Sequence, residues 1–170
     1  LASLLMDTAT YGFSITLSCH AKEHLHATYA QLGLLGGLPP LFYSLMCLYS
    51  GRLSDRVGSL PPAFASVFLV SATIGAAWFA ETFHHLLLAG ICMGISIALF
   101  WPPIMRKLSR LSPGTALWGA LGSFNVYWSI GVGIATIAAP LVYKHLGFHL
   151  SLVLALIAAL APVPLLMIRM

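Results

Sequence analysis

Gly51-Arg52-Leu53-Ser54-Asp55-Arg56-Val57-Gly58 is a short polar segment set between two long apolar stretches, 27–50 and 60–80. Neither neighbour carries an Asp, Glu, Lys or Arg, whereas this octapeptide holds two arginines and an aspartate. Charge crowded into so short a connection implies that the flanking stretches avoid water. Gly51 and Gly58 are expected to make tight turns where the chain leaves and re-enters an apolar phase. Leu53 is expected to pack back on the adjoining helices.

The rest of the chain agrees with that reading. Of 170 residues, 59% are hydrophobic and 7% charged, with a mean hydropathy of +0.94. A soluble domain carries about 25% charged residues, so lipid is the expected solvent. Six apolar stretches follow one another at 1–19, 27–50, 60–80, 86–105, 115–143 and 150–168. Spanning a bilayer core takes about 20 apolar residues, and in lipid every backbone polar group must be satisfied within its own segment. The expected fold is therefore an all-α bundle of six transmembrane helices, with short connections and no soluble domain.

The net charge of +4 first suggests nucleic acid or anionic lipid, but its distribution points to topology. With the N-terminus in the cytoplasm, Arg52, Arg56, Arg106, Lys107, Arg110 and Arg169 fall inside, and Lys22 and Lys144 outside. That asymmetry satisfies the positive-inside rule, and nucleic acid is not an expected partner. Cys19, Cys47 and Cys92 fall at different depths and form no C-x-x-C, so no disulfide is expected. No cleavable signal peptide is expected either, because the first apolar run is too long and lacks a basic start and a small-residue cleavage site.

Prolines and glycines punctuate the stretches. Pro61-Pro62 suits the first turn of the third helix. Pro102-Pro103 lies near the inner end of the fourth. Pro39-Pro40 should bend the second helix in mid-span, Pro140 the fifth, and Pro162 and Pro164 the sixth. Gly33 and Gly37, and Gly90 and Gly94, are four apart, a spacing that lets helix backbones approach closely in lipid.

The octapeptide resembles the G-x-L-x-D-R-x-G signature that the major facilitator superfamily carries between helices two and three. The family usually continues with two basic residues, where Ser59 and Leu60 stand here. The resemblance implies one six-helix half, the N-terminal half, of a twelve-helix transporter built from inverted three-helix repeats. It implies alternating-access movement of a small solute, with a second half or a second copy of the chain as partner. Asp55 would then dock on a helix N-terminus of that other half, where the helix dipole favours a carboxylate. Arg56 would pair with neighbouring acids or lipid phosphates. The segment Phe124-Asn125-Val126-Tyr127-Trp128-Ser129-Ile130-Gly131 is similar to the family's fifth helix. Asn125, Trp128 and Ser129 share a helix face, and either substrate-cavity lining or interhelical hydrogen bonding would explain them. Ala139-Pro140 without following glycines departs from the family's antiporter pattern. The fourth stretch lacks the arginine that many proton-coupled members carry there.

Asp7 is the one acid within the apolar stretches. Burying a carboxylate in hydrocarbon costs about 2.5–3.5 kcal/mol on insertion scales. It lies about 20 Å along the helix from His20 and resembles an acidic position in the first helix of some drug and tetracycline exporters. Carrying a proton, contacting a cationic substrate, or sitting at the interface as a helix-start acid all remain open. His20, His24, His26, His84, His85, His145 and His149 all fall on the outer side. Two pairs are spaced four apart, as metal sites or pH sensors require, and as ordinary interfacial histidines also show. No metal or other cofactor and no catalytic residue is assigned. An intramembrane enzyme is the rival class, but Gly-x-Ser-x-Gly and His-Glu-x-x-His are absent. A receptor or scaffold on the same fold is the second rival.

Overall fold

The computed structural model describes residues 1–112 and 114–164. Its helices are α1 (Ala2–Glu23), α2 (Tyr29–Val57), α3 (Leu60–Ala77), α4 (Phe83–Ala98), α5 (Trp101–Leu111) and α6 (Ala116–Leu160). Among the described residues, four helical runs are long and apolar enough to cross a membrane: Tyr29–Val57, Leu60–Ala77, Phe83–Leu111 and Ala116–Pro164. Helix α1 falls outside that set, since Asp7 and a series of hydroxyl residues from Thr8 to Ser18 dilute its apolar character. The inner end of the sixth stretch, with Arg169, lies outside the described residues.

The six expected spans are not seen as six separate helices. The fourth stretch divides into α4 and α5. Pro102 and Pro103 have no N–H to give to Ala98 and Leu99, and their rings collide with those carbonyls. The chain instead tightens, with Leu99 N–H donating to Ser96 O and Phe100 N–H to Ile97 O, and restarts with both prolines in the first turn of α5. The fifth and sixth stretches form the two limbs of α6, which meet without an intervening loop at Gly147, where the backbone leaves helical geometry with φ +76°. That left-handed conformation suits glycine and folds the run back on itself. Ala135 and Ala158 would stand about 35 Å apart in a straight helix, yet they line the same cleft of about 100 Å³. The two limbs of α6 are thus antiparallel.

The connections are shorter than expected because helices extend into them. Thr28 and Gln31 form a capping box that starts α2: the Thr28 hydroxyl accepts from Gln31 N–H, and Gln31 Oε1 accepts from Thr28 N–H. At the other end α2 runs on through Val57, so Gly51 is helical and makes no turn. Gly58 alone of the two glycines turns the chain, with φ +85°. Helix α2 continues through Pro39-Pro40.

The core runs along α1, where Met6, Phe13, Leu17 and Ala21 are buried at helical spacing, against the α6 hairpin. A second seam joins α2 to α4. Many large apolar side chains face outward, among them Leu48, Phe68, Phe79, Trp118, Ile137 and Ile157. A water-soluble chain seldom exposes so many large apolar side chains. This is an integral membrane protein, and lipid covers such faces.

The glycine pairs divide. A Cβ on Gly94 would collide with the Pro39 carbonyl, and one on Gly90 would reach Pro39 Cγ at 3.2 Å, whereas nothing lies within 4 Å of Gly33 or Gly37. Only the α4 pair is used for close packing. Gly94→Ala is therefore expected to destabilise the bundle by about 1–3 kcal/mol through overpacking. Gly37→Ala should be neutral or slightly favourable, since alanine is the better helix former. Thermal unfolding of the two variants in detergent checks this, and a parent-like melting temperature for Gly94→Ala would contradict the close approach.

Candidate functional site: a cavity with a buried carboxylate

A cavity of about 640 Å³ opens between α1, α2, α4, α5 and α6. Helix α1 contributes Asp7, Thr10, Tyr11, Ser14 and Ser18 to it, and α2 contributes Leu35, Gly36, Pro39, Pro40 and Tyr43. The opposite wall is Met93, Gly94 and Ile97 of α4, Trp101, Pro102 and Met105 of α5, and Phe124 and Trp128 of α6. The volume is within the range of about 300–1,000 Å³ typical of small-molecule sites.

Asp7 is buried, with 1% of its surface exposed, although it sits in the second turn of α1. It packs against the rest of the bundle and does not stand at the edge of the fold. The Ser3 hydroxyl donates to its Oδ2 at 3.3 Å, and Trp128 of α6 lines the same cavity beside it. The close approach of α6 depends on Gly131, where a Cβ would stand 2.6 Å from Leu4 O and 3.2 Å from Asp7 Cβ. The Thr8 hydroxyl adds a bond to Gly131 O at 3.3 Å. Trp128 therefore joins Asp7 at the cavity, while Asn125 and Ser129, on the same helix, are exposed and absent from its walls.

The octapeptide forms a second cluster between the end of α2 and the middle of α5. Arg106 of α5 donates through Nη1 to the Ser54 carbonyl, and through Nη2 it pairs with Asp55 Oδ1 at 3.1 Å. The Ser54 carbonyl also accepts from Gly58 N–H at 3.1 Å. It belongs to the last turn of α2, and besides the Gly58 N–H it takes a second donor from outside the helix. Arg106 thus caps α2 from a neighbouring helix. A hydrogen bond to a charged group contributes about 1.5–3 kcal/mol, against about 0–1 for an exposed ion pair. The Asp55 side chain is 67% exposed, so the capping bond outweighs the ion pair. Leu53, expected to pack inward, is 41% exposed, and Arg56 is exposed as well. The cation that meets Asp55 is thus Arg106, which charge distribution alone marked only as a topology residue. Its distance of 51 positions along the chain hid the pairing.

At the opposite end, the His20 ring stacks on Phe148 with centroids 3.9 Å apart. His20 Nδ1 and the Tyr143 hydroxyl share a hydrogen bond at 3.4 Å. Trp78 meets His149 at 4.5 Å. These histidines act as packing rings that tie α1 and α3 to the bend of α6. Among the described residues no three of His, Cys, Asp and Glu are grouped to hold a metal, and the three cysteines are free.

The family model described as Major Facilitator Superfamily matches residues 1–169. The chain is 30% identical over 106 residues to the Inner membrane metabolite transport protein YgcS of Escherichia coli (strain K12), a match that covers 62% of this chain and 24% of that protein. It is 22% identical over 126 residues to the Uncharacterized MFS-type transporter YhjO of Bacillus subtilis (strain 168), covering 74% of this chain and 31% of that one. The chain thus spans about a quarter to a third of the curated relatives it matches. With the match over residues 1–169, the chain belongs to the Major Facilitator Superfamily.

Proposed function

We propose that this chain is the N-terminal six-helix half of a secondary transporter that moves a small solute by alternating access. The six spans of this reading are α1, α2, α3, α4 with α5, and the two limbs of α6, arranged as inverted three-helix repeats. A second six-helix half, or a second copy of the chain, closes the cavity from its open side. The observation that carries the reading is a cavity of about 640 Å³ bordered by a buried carboxylate in a chain with a lipid-facing exterior. Intramembrane acids mark solute and ion pathways. The membrane is the cell's inner membrane, by analogy with the name of the Escherichia coli relative, and the N-terminus is cytoplasmic by the positive-inside rule.

Uptake by the intact protein in proteoliposomes tests the transport reading. Solute binding with no flux across the bilayer would favour a receptor or scaffold of the same fold. Orientation is checked by labelling single cysteines. Val57→Cys, at an exposed position, should react only from the cytoplasm, and Thr82→Cys only from outside. Labelling of position 82 from the cytoplasm would reverse the topology.

Asp55 is the gating residue of this reading. Its carboxylate, paired with Arg106 but 67% exposed, can also face a helix N-terminus of the other half, an interaction worth about 0.3–2 kcal/mol and enough to shift an access equilibrium several-fold. Asp55→Asn should change the population of access states with little loss of stability. Arg106→Ala, which uncaps α2, should lower stability by about 1.5–3 kcal/mol. Crosslinking or accessibility measurements report the first effect and thermal unfolding the second. Unchanged access states in Asp55→Asn would remove the gating role.

Asp7 is the coupling residue. Asn is close to Asp in shape but does not ionise near neutral pH. Asp7→Asn is expected to abolish ion-coupled flux while preserving expression, and Asp7→Glu to retain flux with a displaced pH optimum. Flux across a pH series decides this, and a parent-like profile for Asp7→Asn would exclude coupling through it.

A further inference from the structure

The proline pair of α2 leaves a backbone acceptor at the cavity. In a regular helix the Gly36 carbonyl accepts from the N–H of residue 40. That residue is Pro40, which has no N–H to give. At Pro102-Pro103 the chain restarts as a new helix, whereas α2 runs on through Pro39-Pro40. Gly36 is exposed and borders the cavity together with Pro40. It has no side chain, so its backbone forms that border. A helix carbonyl points toward the residue four ahead, which here is the second bordering residue. A Cβ built at Gly36 meets nothing within 4 Å, so open space lies beside it.

A membrane helix tolerates an open carbonyl where it lines a wet cavity. Water satisfies the Gly36 carbonyl when no solute is bound. A solute that displaces this water must bring a donor, or it leaves a desolvated acceptor unpaired and loses affinity. The adjoining wall of α1 adds acceptors. The Thr10 hydroxyl donates to Met6 O and the Ser18 hydroxyl to Ser14 O, each at 3.0 Å. With their protons so used, both oxygens keep lone pairs for a further donor, and both residues line the cavity. The facing wall is apolar, with Met93, Ile97 and Met105 beside Trp101 and Phe124, whose rings meet edge to face at 5.5 Å.

We infer that the Gly36 carbonyl, released by Pro40, is a specificity-determining acceptor of this cavity, and that the solute pairs an N–H or O–H donor with an apolar body. The donor meets the α2 backbone, and the body lies against Trp101 and Phe124. A neutral N–H serves this contact, which is separate from Asp7. The inference rests on the transporter reading only in treating this cavity as the solute site.

Indole and benzofuran provide the test, because they share a fused bicyclic shape and only indole carries an N–H. Saturable binding of each is measured on the intact protein in detergent. Indole is expected to bind about three- to tenfold more tightly, as one neutral hydrogen bond allows. Equal or tighter binding of benzofuran by the unaltered protein would overturn the inference, and that comparison does not depend on any variant folding. Pro40→Ala and Pro40→Leu both return an N–H to the Gly36 carbonyl, and both residues suit a helix better than proline. Each should lose the preference for indole while still binding benzofuran. Pro140→Ala returns an N–H to the Thr136 carbonyl, on an exposed part of α6 outside the cavity walls, and should leave the preference unchanged. A preference for indole that persists in Pro40→Ala would overturn the role of Gly36. Flux is measured separately. Donor-selective binding without flux sinks the transport reading and leaves the ligand class standing, while flux of a solute that carries no N–H or O–H sinks the ligand class alone.

Discussion

Helix α2 approaches α4 with the Pro39 carbonyl seated against the bare backbone of Gly94. Much else depends on that contact. Pro39 and Gly94 both border the cavity, so the distance between these helices sets the width of one wall. In lipid no hydrophobic force drives helices together, and association relies on backbone proximity and packing. A residue without a side chain at 94 allows the approach. Gly131 does the same on the other side, where α6 comes close enough to α1 for Trp128 to reach Asp7. The cavity is the space left where these two tight seams diverge.

The two polar clusters answer different physical needs. At the end of α2, the Ser54 carbonyl accepts from Gly58 N–H and takes a second donor, Arg106, from α5. The ion pair with Asp55 comes with that arrangement, and its exposure leaves the carboxylate available for other contacts. In the cavity, Asp7 accepts from the Ser3 hydroxyl and has the Trp128 ring as a neighbour. One cluster holds helices together at a polar boundary. The other keeps an acid beside a space large enough for a solute.

The break at Phe100 and the bend at Gly147 show how local chemistry reshapes long apolar stretches. Before Pro102-Pro103 the chain tightens and α5 begins anew with both prolines in its first turn, whereas α2 continues through Pro39-Pro40. Gly147 adopts a left-handed conformation within a run that is otherwise helical. The polar residues from Lys144 to His149 do not form a separate loop. They sit on helical turns whose rings pack against His20 and Trp78.

Composition and pattern alone determined that this chain lives in a membrane as helices, because a residue set 59% hydrophobic and 7% charged has no other way to satisfy its backbone. The octapeptide at 51–58 carried the family, and the singularity of Asp7 marked it among the apolar residues. Tertiary structure decided what lies between distant segments. It placed Arg106 on Ser54 and Asp55, turned Leu53 outward, and brought Trp128 but not Asn125 or Ser129 to the cavity. It also separated Gly90 and Gly94, which pack against α2, from Gly33 and Gly37, which do not. Helical periodicity says which residues share a face, but the neighbour that a face meets depends on how far each helix runs and where it breaks. Those are settled by caps, prolines and close contacts between segments far apart in the chain.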